Sequence, residues 1–126
     1  MVDLPWQNDT QDETEHREEE TVQGRALVYC EFQDGTIVVF DDQVVIERSS
    51  RSKFADKRIP IEEIRDVVYE KRLVISYLQI AQEGVELGEA SRLSTPVDEN
   101  TLHFGRGKRD CAKRARDAIY DQLART

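Results

Sequence analysis

No apolar run in this 126-residue chain approaches the roughly 18–20 residues a helix needs to cross a bilayer, so a membrane-spanning helix is not expected. Cysteine is scarce. Cys30 and Cys111 lie far apart and show neither CxxC nor CxxH spacing, which argues against zinc-finger and thioredoxin-type chemistry. Histidine is as scarce: His16 sits in an acidic stretch, and His103 is expected to point outward between inward Leu102 and Phe104. There is no serine elbow, no glycine-rich phosphate loop opening a helix, and no metal-ligand spacing of His, Cys and carboxylates. The adjacent carboxylates Asp41-Asp42 and Glu62-Glu63 diverge on extended or turning backbone, which makes them poor acid–base pairs. No catalytic residue, metal ligand, cofactor or small-molecule substrate can be named, and the expectation is a protein that is not an enzyme.

What is present is unevenly placed. Residues 1–22 carry eight acids against the single base Arg17, so seven of the eight net negative charges belong to this stretch and the remainder is nearly neutral. So few apolar groups cannot offset the entropy of ordering, and residues 1–22 are expected to form a disordered acidic leader. Its one distinctive element is Leu4-Pro5-Trp6. A lone Trp in a polar stretch has no core to join, which makes Trp6 a candidate partner contact. The start of the chain has neither a basic region nor an apolar one of the secretory kind, so a cytoplasmic location is expected. In such a compartment both cysteines read as small buried hydrophobes, although a bridge is geometrically open to them if strand and helix touch. A body without net positive charge behind an acidic leader disfavours nucleic acid.

Residues 23–126 read as a single domain of short strands closed by one helix. Residues 25–32 alternate, with Ala26, Val28, Cys30 and Phe32 on one face. Asp34-Gly35 follows as a hairpin dipeptide. Residues 36–40 are apolar on both faces and should lie centrally, and residues 44–48 continue the meander. After a polar loop over 49–57, Pro60 interrupts a strand, and Ile59, Ile61 and Ile64 dip into the core around a short helical turn. Residues 65–71 and 75–82 form a further hairpin, and Thr101–Phe104 is the last strand. From Lys108 onward Cys111, Ala112, Ala115, Ile119 and Leu123 share one stripe of an amphipathic helix that should cover the open end of the sheets.

This order of elements resembles a pleckstrin-homology-like (PH-like) domain, and in particular a bacterial family of such domains common in actinobacteria. The residues that carry the resemblance are Gly35-Thr-Ile-Val-Val-Phe-Asp and Lys57-Arg-Ile-Pro-Ile-Glu-Glu-Ile-Arg-Asp-Val. Ser76-Tyr-Leu-Gln-Ile and Asp98-Glu-Asn-Thr-Leu-His-Phe follow, leading into Cys111-Ala-Lys-Arg-Ala-Arg-Asp-Ala-Ile. The resemblance covers about residues 25–123. It implies a mainly β fold, a PH-like barrel of two curved antiparallel sheets capped by the C-terminal helix, and it implies no catalytic activity. Ser76 departs from the pattern, since relatives usually have Gly before the aromatic residue.

Two kinds of binding surface stand out. Leu73-Val74-Ile75 falls at a hairpin tip, where polar turn residues are expected; either the strand runs further than its pattern indicates, or the tip is covered by a protein partner or a second copy. With Trp6, these residues make protein binding or self-association the leading expectation. The alternative is an anion site for a lipid head group or phosphopeptide. Its candidates are Arg48, Arg51, Lys53, Lys57 and Arg58 in a serine-rich loop, and Arg106, Lys108 and Arg109 at the helix start. Phosphoinositide-binding relatives usually carry their cations around the first hairpin. Here that hairpin is Gln33-Asp34-Gly35-Thr36, so the resemblance does not support peripheral membrane contact.

Overall fold

The computed structural model describes residues 26–89 and 94–126; the acidic leader with Trp6 lies outside them. Among the described residues seven strands run in chain order: β1 (Val28–Phe32), β2 (Gly35–Val39), β3 (Gln43–Glu47), β4 (Lys57–Pro60), β5 (Ile64–Glu70), β6 (Ser76–Gln82) and β7 (Thr101–Phe104). One helix, α1 (Arg109–Arg125), follows a 3-10 turn over Arg106–Lys108. The strands form two antiparallel meanders, β1-β2-β3-β4 and β5-β6-β7. The fold is therefore mainly β, two sheets of four and three strands with one C-terminal helix.

Alternation decides what each strand buries. Ile37 and Val39 of β2, Val44 and Ile46 of β3, and Ile59 of β4 meet Leu78 and Ile80 of β6 and Leu102 and Phe104 of β7 in one core. Complete burial of a side chain of this size is worth about 2 kcal/mol. Phe104 lies at the centre, its ring centroid 4.9 Å from that of Phe32 and 5.9 Å from that of Tyr69. β2 is apolar on both faces because its other face is also covered: Val38, Phe40 and Val45 form a second cluster with Ala26 and Tyr29 against it. Ala26 thus joins the face opposite to the one its spacing predicts, since regular pairing begins only at Val28. Pro60 ends β4, an edge strand where a missing N–H is tolerated, and Ile61 in the following 3-10 turn is buried.

The first hairpin differs from its predicted form. Phe32 pairs with Gly35, so Gln33 and Asp34 are the central turn residues and Gly35 already belongs to β2. Glycine is needed there for proximity: a Cβ at position 35 would stand 2.8 Å from the Glu47 carbonyl oxygen and 2.8 Å from Leu102 Cδ2. Asp34 is thereby freed from a purely local turn role.

The helix buries Ala112, Ala115, Ile119 and Gln122, and its small residues let the axis lie close to the strands. That closeness corrects the reading of the cysteines as separate buried thiols. β1 and α1 pack together with the Cα atoms of Cys30 and Cys111 5.9 Å apart, within bridging range, and the two form a disulfide.

Candidate interaction surface

The hairpin between β5 and β6 ends in an open tip. The strands stop at Glu70 and restart at Ser76, so no extension of the ladder absorbs residues 71–75. Leu73 is 76% exposed and Val74 69%, while Ile75 is half-buried. The backbone beneath them is nonetheless held. Arg106 Nε donates to the Leu73 carbonyl at 3.2 Å, and Arg109 Nη2 donates to the Arg72 carbonyl. The Arg72 N–H donates to the buried Ser76 hydroxyl at 3.0 Å, which gives that serine a local role at the base of the tip. The Arg72 guanidinium lies 5.4 Å over the Tyr77 ring and donates to the Ser94 carbonyl at 3.1 Å. Two apolar side chains thus project from a braced loop, so that little backbone ordering would remain for a binding event.

The basic loop does not gather its cations. Arg48, read from sequence as an anion ligand, has a side chain only 2% exposed. Its guanidinium donates to the carbonyls of Asp34 (3.1 Å), Asp98 (3.4 Å), Glu99 (3.0 Å) and Thr101 (3.0 Å). Lys57 is engaged by Glu99 Oε2 at 3.0 Å and Asn100 Oδ1 at 2.8 Å. The loop hydroxyls also turn inward, Ser49 and Ser52 accepting the N–H groups of Arg51 and Phe54. Lys53 lies over the Phe54 ring at 5.4 Å. At the helix start Arg106 and Arg109 serve the tip rather than an anion. Arg51, Lys53, Arg58 and Lys108 remain exposed but are distributed over the loop, β4 and the helix start.

The residues that hold these cations form a polar knot joining the two sheets. Asp98 Oδ1 accepts from the Asn100 N–H (2.9 Å) and the Thr101 hydroxyl (2.8 Å). Its Oδ2 accepts from the Gly88 N–H (2.8 Å) and Gln79 Nε2 (3.0 Å). Asn100 Nδ2 reaches the Ile80 carbonyl at 3.0 Å and Gln82 Oε1 at 3.1 Å. Asp34 accepts the His103 N–H at 2.8 Å through Oδ1 and meets His103 Nδ1 at 2.6 Å through Oδ2. His103 therefore does not point freely outward: its ring lies between Asp34 and the Pro96 carbonyl, 3.0 Å from Nε2. The hydrogen bond that the His103 ring donates to Asp34 raises the His103 pKa above its usual value despite opposing burial. Burial draws the Arg48 guanidinium below its usual value, against the attraction of Asp34 and Asp98.

Sequence reasoning missed this knot. Its one local signal is Asp98-x-Asn100-Thr101, a run able to fold back on its own backbone.

Elsewhere the groove between β5 and α1 is bridged by Tyr120, whose hydroxyl contacts the Val67 carbonyl at 2.8 Å and Asp66 Oδ1 at 2.9 Å. This covers part of an edge strand that would otherwise invite pairing. Among the described residues no group of three or more His, Cys, Asp or Glu side chains is placed to hold a metal ion, and no helix is long and apolar enough to cross a membrane. No family model, curated protein or solved structure matches the chain.

Proposed function

We propose that this protein is a non-enzymatic interaction module of PH-like, barrel-type architecture that binds a protein partner or a second copy of itself through the tip at residues 72–75. The observation that carries the reading is the exposure of Leu73 and Val74 on a loop whose backbone is fixed by Arg72, Arg106 and Arg109. Exposed apolar side chains on a rigid support lower the entropic cost of association. Two antiparallel sheets followed by a terminal helix are the coarse arrangement that the resemblance implies, and the PH-like family and the barrel are part of the proposal.

The anion-binding alternative is weakened by the internal use of Arg48, Lys57, Arg106 and Arg109. The disulfide between Cys30 and Cys111 also bears on the expected cytoplasmic location: such a bond persists in an oxidising compartment, whereas a reducing cytoplasm would hold the two as thiols.

Replacing Leu73 and Val74 together with Ser is the direct test. Sedimentation and affinity capture should lose the associated species while the fold is kept; unchanged association would dismiss the tip. Flotation with anionic vesicles at low and high salt tests the anion alternative, which requires binding that salt weakens.

A further inference from the structure

The His103 ring is flanked on both sides by oxygen acceptors, a carboxylate 2.6 Å from Nδ1 and a backbone carbonyl 3.0 Å from Nε2. A neutral imidazole has one N–H and one lone pair, so it can satisfy only one of them. The imidazolium donates to both. On deprotonation the contact with charged Asp34 is the stronger and is retained, leaving the Nε2 lone pair facing the Pro96 oxygen. The contact that gives way is therefore the one to residues 94–97.

Those residues also touch the tip. Ser94 accepts from Arg72, and Arg72 stacks over Tyr77, whose ring lies 6.4 Å from that of His103. From these contacts we infer that His103 is a pH-sensitive latch: protonated, it holds residues 94–97 through the Pro96 carbonyl and, through Ser94 and Arg72, braces the tip that presents Leu73 and Val74. The inference rests on the reading of that tip as the interaction site, and it names the regulation of that site.

The charged and titratable groups facing His103 come from several elements. Asp34 from the β1–β2 turn favours the proton, and Arg48 beyond β3 opposes it. Tyr77 on β6 contributes a ring face. Asp98 is turned toward Gly88, Gln79, Asn100 and Thr101. The latch is closed below 6.5 and loosens as pH rises through the raised His103 value.

The test is an NMR titration of the full chain, which needs no partner. The two histidine ring signals are assigned with His16→Gln, and the amides of Arg72, Leu73, Thr95 and Val97 are followed alongside. His103 should titrate above 6.5, and all four amides should shift with its midpoint. His103→Gln should remove the shared step while the spectrum stays folded, and Asp34→Asn should move the midpoint downward. A His103 midpoint at or below 6.5, or amides at 95 and 97 that ignore it, overturns the latch. Amides at 72 and 73 that do not follow overturn the link to the tip. Failure of the tip as a binding site is read separately, by sedimentation and capture with the Leu73/Val74 variant.

Discussion

The polar knot around Arg48 and the tip at Leu73 and Val74 are opposites in the use of residue type. In the first, a charged side chain is almost wholly enclosed; in the second, two large apolar side chains stand in solvent. The partners explain the difference. Arg48 has carbonyl and carboxylate acceptors from the β1–β2 turn and the run before β7, so its burial is compensated and it ties one sheet to the other. At the tip the backbone of Arg72 and Leu73 is held, while the side chains of Leu73 and Val74 are open. The knot is thus an internal fastening, although its cations looked like a binding surface, and the tip, where a longer strand was one expectation, leaves Leu73 and Val74 in solvent as the proposed contact.

Both regions share one frame, the helix bonded to β1, and loss of that bond has the largest expected effect. Replacing Cys30 and Cys111 together with Ala removes a link spanning 81 positions and should cost about 4 kcal/mol by the loop-entropy account. Urea unfolding measures it. The helix start braces the tip, so the variant should also increase hydrogen exchange at Arg72 and Leu73.

Arg48→Met comes next and attacks the knot alone. It keeps apolar bulk but strands the carbonyls of Asp34, Glu99 and Thr101, and should cost about 3 kcal/mol in urea unfolding with no change in the association carried by the tip. A loss below about 0.5 kcal/mol would mean that the knot is not a fastening.

Asp34→Asn is milder, about 1 kcal/mol near neutral pH, and alters the pH profile. His103 has a folded pKa raised above 6.5, so its contribution is fully present below 6.5 and is lost as pH rises through the raised value. Wild-type stability measured against pH should show that decline. Asp34→Asn should flatten it, and an identical slope in both proteins would detach His103 from Asp34.

The same contrast marks what could be read from sequence. Strand alternation, the Pro60 break, the buried isoleucines around it and the amphipathic stripe of α1 depend on local spacing, and the elements lie close to where spacing puts them. The roles of Arg48, Asp34 and His103 depend on contacts between residues 14 to 69 positions apart, and no local pattern reports these. Arg48 next to serines resembles any solvated basic loop until the run before β7 folds over it. Gly35 was read as a central turn residue, but it stands in β2, where crowding against Glu47 and Leu102 demands glycine. The tip was legible because Leu73-Val74 breaks the rule of polar turns, and such a breach stands out without any partner in view.

Leu73→Ser with Val74→Ser should have the smallest effect on stability, within about 0.5 kcal/mol of the unaltered chain, because the side chains it removes are already in water. The most direct measurement is therefore sedimentation equilibrium of the unaltered and doubly substituted proteins, alone and with captured partner, beside their urea midpoints. Association is expected in the unaltered protein, with loss of association in the variant and matching midpoints. Association that survives the substitution, or an unaltered protein that neither self-associates nor captures a partner, would contradict it.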